Sequence, residues 1–378
     1  MCPPGVRIAL FCPSFGEVGG IERKAEALLH EFRRAGHDVT VLARGATARD
    51  DGHDLRIVRV PFHQLPRRAR HVVRELRFRR QLPRVLATLR RALAAWRGDV
   101  VLSLAIDSYA PYAAGLARAV PVVLGLETGG PGLTTRPRSM RTALARAHRV
   151  VAVAASLARG AETLDPRVAP RLRVIPNGVD VTRFADEGPP FDHPRPFVLA
   201  VARLSREKGL DVLLDAVARL PATAPDLLVA GNGPERDTLA RQVERLGLER
   251  CVRFLGAVDP DAVAGLYRSA LLVACPSRWE GLPLACLEAM ASARAVVATA
   301  VGGIPDVVTH GETGVLVPPG DVPALAAAIR ALADDATERR RLGRQARAHV
   351  AEAYAWPTIA RRHLDVLAEA VRERNGAA

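Results

Sequence analysis

Short, mostly apolar runs, most of them leading into a helical pattern, recur along the whole chain. In the first half they lie at 6–12 (VRIALFC), 38–43 (DVTVLA), 55–61, 99–104, 121–126 and 149–154, with a further run beginning at Val174. In the second half they lie at 197–201, 226–230, 251–255, 271–275 and 295–299. Runs this short and mostly apolar suit strands covered on both faces, which is the situation in a parallel sheet. The stretches between them carry helical signals, such as 21–35 stopped by Gly36. The alternation predicts an α/β chain, and 378 residues are enough for two domains with sizeable cores. The Pro- and Asp-rich segment 185–196 (ADEGPPFDHPRP) reads as the linker. The expected domains are therefore 1–184 and 197–355, with a final helix at about 357–374.

Charge is the second constraint. The net charge is +14 and arginine supplies nearly all the positive charge, because Lys24 and Lys208 are the only lysines. Residues 63–98 hold eleven arginines and one acid, Glu75. Two helices are expected there, at 67–80 and 83–96, with Pro83 opening the second and Leu82, Val85, Leu86, Leu89 and Leu93 forming an apolar stripe. Arginines mixed with aliphatics suit the face of an anionic membrane, and a merely solvated basic face is the competing interpretation. No stacking aromatics are interleaved as RNA binding would need, so no nucleic-acid partner is expected. The five cysteines form no CxxC pair, the N-terminal apolar run is too short for a signal peptide, and no apolar run reaches 18 residues. A cytoplasmic protein is the expectation, peripheral at the inner face of the membrane if the basic segment engages lipid.

Three places carry the polar groups of a ligand site. The loop PSFGEVGGIER brings Gly19 and Gly20 to the start of a helix, a typical anion-binding turn, although it is neither GxGxxG nor a P-loop. The loop ARLSREKGLD places Arg203 and Lys208 before another helix. PSRWEGLPLACLEAM places Glu280 at a loop end and Glu288 eight residues later, with Gly281, Leu282 and Pro283 expected to open the helix. The free N–H groups of a helix mouth favour an anionic ligand. Asn177-Gly178 is a turn signal, and Asp259-Pro260-Asp261 reads as a helix cap rather than a metal motif.

Six motifs in order, GGIER, VIPNGVD, ARLSREKG, AGNGP, PSRWEGLPLACLEAMA and VGGIPDVV, resemble the GT4-type retaining glycosyltransferases (glycosyl transferases group 1). The resemblance implies a GT-B architecture: two Rossmann-like domains facing a central cleft, with the C-terminal helix, 356–378, crossing back to the first domain. It implies that Arg203 and Lys208 bind the donor diphosphate, Glu288 the ribose hydroxyls and Glu280 the donor sugar, helped by backbone groups of Gly281, Leu282, Pro283 and Leu284. Gly19 and Gly20 would approach the phosphates and reacting sugar. Many members carry a histidine in the loop that here reads GLETGGPG, so Glu127 is a candidate replacement on the sugar side, and Lys24 would add charge beside the glycine loop.

The function implied is hexosyl transfer with retention from a nucleoside-diphosphate sugar, UDP- or GDP-linked, to an acceptor hydroxyl, without cofactor or metal. The arginine-rich segment 63–97 favours a lipid-linked or envelope acceptor, with a soluble small-molecule or natural-product acceptor as the alternative. Further alternatives are a nucleotide-sugar epimerase and a non-catalytic basic membrane- or RNA-binding module.

Overall fold

The computed structural model describes residues 5–16, 19–43, 57–59, 71–104, 109–128, 137–185 and 188–376. The chain forms two compact units, Met1–Pro176 with Trp356–Ala378, and Asn177–Ala355.

The first unit contains β1 (Arg7–Phe11), α1 (Gly20–Arg34), β2 (Asp38–Ala43), β3 (Ile57–Arg59), α2 (His71–Trp96), β4 (Val100–Ser103) and α3 (Ala110–Leu116). It continues with β5 (Val122–Leu126), α4 (Pro137–Arg146), β6 (Arg149–Ala152), α5 (Ala155–Leu164) and β7 (Leu172–Val174). The seven strands are ordered β3-β2-β1-β4-β5-β6-β7, and every pair is parallel. Strand β1 pairs Ile8 with Val39 on one side and with Val100 on the other, so strand order reverses between β1 and β4.

The second unit repeats the pattern with β8 (Phe197–Val201), α6 (Leu210–Val217), β9 (Asp226–Ala230), α7 (Arg236–Leu246), β10 (Val252–Gly256) and α8 (Pro260–Ser269). There follow β11 (Leu272–Cys275), α9 (Leu284–Ala291), β12 (Ala295–Thr299), β13 (Val315–Val317), α10 (Val322–Asp334) and α11 (Ala336–Ala353). Its all-parallel order is β10-β9-β8-β11-β12-β13, with the reversal between β8 and β11. The last helix, α12 (Trp356–Gly376), belongs to the first unit, where Ile359, Leu364 and Leu367 pack with Ile8, Leu28 and Phe32. In the second unit Val198, Leu213, Leu227, Val229 and Ile329 share one core. Among the described residues no helix is long and apolar enough to cross a membrane.

Three local expectations are corrected. Of the expected linker 185–196, residues 188–196 pack into the second unit, which begins at Asn177. There, Phe191 N–H donates to Ser269 Oγ at 2.7 Å, and the Asp226 carboxylate takes His193 Nε2 at 3.0 Å and Arg195 Nη1 at 3.1 Å. Its proline content signalled extended backbone, which need not be free backbone. Residues 71–96 form one helix with Pro83 inside, where a break at 81–82 was expected; residues 63–70 lie outside the described set. Val85, Leu89, Leu93 and Trp96 are buried there, and packing of a long apolar stripe offsets the one hydrogen bond that a proline removes. Finally, α9 begins at Leu284, so Gly281, Leu282 and Pro283 precede the helix, with Pro283 extended at the N-cap.

Candidate functional site

In an open parallel sheet, ligands bind beyond the carboxyl ends of the strands, at the point where strand order reverses. In the second unit that point is flanked by the loop after β8, carrying Arg203 and Lys208, and the loop after β11, carrying Glu280. The two loops are bound tightly together. Arg278 N–H donates to Glu207 O at 2.7 Å, and its guanidinium reaches Arg206 O at 3.0 Å and both Asp211 oxygens at 2.6 Å. That fork holds the Asp211 carboxyl below the usual carboxylate range. Gly209 has φ +62°, and a Cβ there would fall 2.1 Å from Pro276 O, so only glycine lets the loops meet.

Lys208 and Glu280 lie in direct contact, with Nζ 2.5 Å from Oε1. Ser277 Oγ donates to the same oxygen at 2.7 Å, and the Glu280 side chain is 10% exposed. Both partners are thus held in place. An ammonium has three donors, so pairing with Glu280 leaves Lys208 with capacity for an anion. Arg203 is exposed and makes no side-chain hydrogen bond or ion pair among the described residues, which leaves its five donors for a ligand.

Glu288 lies on α9 with only 3% of its surface exposed. Tyr267, fully buried on α8, donates its hydroxyl to Glu288 Oε2 at 2.9 Å and stacks edge-on against Phe184, with centroids 5.7 Å apart. Tyr267 orients the carboxylate, and sequence reasoning missed it because it falls in an ordinary apolar helix pattern. The chain's scarcity of tyrosine, four in all, was the one available signal.

In the first unit, Gly19 and Gly20 stand at the start of α1, with Gly19 as its extended N-cap. The nearby carboxylate is Glu22, which is buried and accepts a short hydrogen bond from Ser14 Oγ; a Cβ on Gly19 would fall 2.1 Å from Glu22 Oε2. Lys24 and Glu127 are each other's partners: Nζ donates to Oε2 at 2.8 Å and to Oε1 at 3.0 Å, and the side chains are 1% and 2% exposed. The charge of Lys24 is therefore matched inside the unit. The rest of the glycine-rich stretch after Glu127, residues 129–132, lies outside the described set. Beside this pair, burial and then the Lys24 charge push His363 down to about 3, while its Nδ1 contacts Ile359 O at 3.0 Å. Burial and the neighbouring Glu22 push the Cys12 thiol up to about 12.

Two basic regions occur in the first unit. Along α2 Val85, Leu89 and Leu93 are buried, and Arg80, Arg84 and Arg91 are among the exposed residues. On α4 and the turn after α5, Arg138, Arg141, Arg146 and Arg167 line an open hollow of about 390 Å³. Among the described residues no group of three His, Cys, Asp or Glu side chains is arranged to hold a metal ion.

Residues 182–349 match the family model described as glycosyl transferases group 1, and residues 18–183 match glycosyltransferase family 4. The chain belongs to the GT4-type glycosyltransferases. The first match contains the Arg203, Lys208, Glu280 and Glu288 site; the second contains the Gly19–Gly20 loop and the Lys24–Glu127 pair. A glycogen synthase of Mycobacterium tuberculosis is 35% identical over 206 residues, covering 53% of this chain and 48% of that protein. A D-inositol 3-phosphate glycosyltransferase of Nocardia farcinica is 33% identical over 271 residues, covering 66% of this chain and 59% of that protein. The chain spans about half the length of the curated relatives it matches.

The fold of this glycosyltransferase is GT-B. Sucrose-phosphate synthase from Thermosynechococcus elongatus superimposes with a TM-score of 0.82 at 24% identity, covering 99% of this chain and 100% of that one. HepE of Anabaena, solved with UDP and glucose, gives 0.79 at 24% identity, covering 96% and 99%. At these identities the likeness is one of fold.

Proposed function

We propose that the chain transfers a hexose-type sugar from a nucleoside-diphosphate sugar to an acceptor hydroxyl, with retention of anomeric configuration and without a metal. The observation carrying this reading is the Lys208–Glu280–Ser277 cluster at the strand-order reversal, with Glu288 held by Tyr267 in the same unit. Each group suits one part of such a donor. The Arg203 guanidinium and Lys208 ammonium match a diphosphate, and they stabilise the negative charge that grows as it leaves. Glu288, a carboxylate oriented by Tyr267, accepts from ribose hydroxyls. Glu280 accepts from the donor sugar, and backbone groups of Gly281, Leu282 and Leu284 line the mouth of α9.

In the proposed front-face substitution, the bond from the anomeric carbon to the phosphate oxygen breaks as the bond to the acceptor oxygen forms. The acceptor's proton passes to the leaving phosphate. Glu280 and Glu288 are positioning groups here. UDP is the favoured nucleotide because solved complexes of the same fold, such as that of HepE, hold UDP. An anionic acceptor, lipid-linked or part of an envelope glycan, fits the exposed α2 arginines and the four-arginine hollow, with the protein peripheral at the inner membrane face. A soluble phosphorylated acceptor is the second reading, favoured by the D-inositol 3-phosphate glycosyltransferase relatives.

Calorimetric titration with UDP and GDP tests the donor site. The wild type should bind one of them and Lys208→Ala should bind it at least tenfold more weakly; equal affinities refute the assignment. Anomeric NMR of the product should show retention, and an inverted product refutes the mechanism.

A further inference from the structure

The motif VIPNGVD is left without a role by the donor site as described, yet its asparagine touches that site. Asn177 is the first residue of the second unit, 8% exposed, and its Nδ2 donates to Leu282 O at 2.8 Å. A carbonyl oxygen can only accept, so the chemistry decides which end of the side-chain amide faces Leu282. The other end, Oδ1, is buried and has no partner among the described residues. Such a burial is costly unless the group is fixed for a purpose or completed by a ligand or water.

Of the two peptide planes before Leu282, one is closely packed and the other hydrogen-bonded. Gly302 has φ +60° and packs so closely on Glu280 O that a Cβ would lie 2.0 Å from it. Gly303 N–H donates to Gly281 O at 2.7 Å. The carbonyls at 281 and 282 are thus each held by a hydrogen bond, and that at 280 is packed against Gly302. Across a trans peptide the C=O and the following N–H point in opposite directions. The N–H groups of Gly281 and Leu282 consequently face away from these partners, and neither is used among the described hydrogen bonds. Pro283 has no N–H, so Leu282 O is the only handle by which the third plane can be held.

We infer that Asn177 is a positioning residue of the donor site: by holding Leu282 O, it keeps the Gly281 and Leu282 N–H groups presented as donors to an anionic or hydroxyl oxygen of the nucleotide sugar. The inference rests on the donor reading above. It also explains why an Asn-Gly turn 105 residues away in sequence belongs to this site.

Asn177→Asp separates positioning from simple structural support. A protonated carboxyl can donate its O–H to Leu282 O, whereas a carboxylate repels it. UDP and GDP titrations of wild type, Asn177→Asp and Asn177→Ala are run from pH 5 to 8, each with a melting temperature. The affinity of Asn177→Asp relative to wild type should fall by about tenfold or more as pH rises, the factor equivalent to about 1.4 kcal/mol. Asn177→Ala should show a pH-independent loss of about the same size. If Asn177→Ala does not fold, the pH dependence of Asn177→Asp decides alone. A pH-independent Asn177→Asp ratio, or melting temperatures that move while affinities do not, overturns the inference and leaves the donor reading standing. Failure of the wild type to bind either nucleotide overturns both.

Discussion

Replacing Lys24 by methionine would leave the Glu127 carboxyl without its partner in a place that water barely reaches. Nζ lies 2.8 and 3.0 Å from the two carboxylate oxygens, and the side chains are 1% and 2% exposed. At an effective dielectric constant near 20, charges that close attract by roughly 6 kcal/mol. Stripping water from each ion costs several kcal/mol, so the intact pair contributes little net stability. Removing one partner keeps the desolvation cost and discards the attraction, and costs about 3–5 kcal/mol. Removing both, as Lys24→Met with Glu127→Leu, should return the protein close to wild-type stability or above it. The assay is a double-mutant cycle followed by tryptophan fluorescence in a Trp279→Phe background. The two remaining tryptophans, Trp96 and Trp356, then report on the first unit alone. A loss of 3–5 kcal/mol corresponds to a drop of about 6–20 °C in the melting temperature of a unit this size. Single variants that each lose less than about 1 kcal/mol and simply add would refute the reasoning, because they would mean that solvent screens the pair.

Two further perturbations probe other parts of the fold. His363 is held down to about 3 in the folded state against an ordinary value of 6.5, so between those pH values the unfolded chain binds a proton that the folded chain refuses. Stability should therefore fall as pH drops through that window, by up to about 1.4 kcal/mol per pH unit, and His363→Gln should have a visibly shallower acid limb in urea titrations; identical slopes would show that the site is hydrated. Gly302→Ala places a methyl group 2.0 Å from Glu280 O at a positive φ, so transferase activity should drop at least tenfold. Gly320→Ala, with φ +78° and open space, serves as the control that loses about 1 kcal/mol of stability and no activity.

The strand pattern was legible because the runs are short and mostly apolar, as burial on both faces of a parallel sheet demands. That Arg203, Lys208 and Glu280 fall in loops after apolar runs was legible too, as was the place of Glu288 in the helix that follows. Their relationships were not. Lys208 meets Glu280 across 72 residues, Asn177 meets Leu282 across 105, and Lys24 meets Glu127 across 103. Local periodicity says which face of an element is buried but nothing about which distant loop lies beside it. That depends on strand order, and the reversal between β8 and β11 brings the Lys208 and Glu280 loops together. The same limit explains the misplaced helix start at Leu284: glycine and proline mark a helix mouth in sequence, while the carbonyl contacts from Gly303 and Asn177 hold residues 281–283 outside it. The sequence alone predicted two parallel α/β units and the residue types of the donor site proposed above. Tertiary structure decided which charges are spent on one another, because only the packed chain sets the distance and the water content between them.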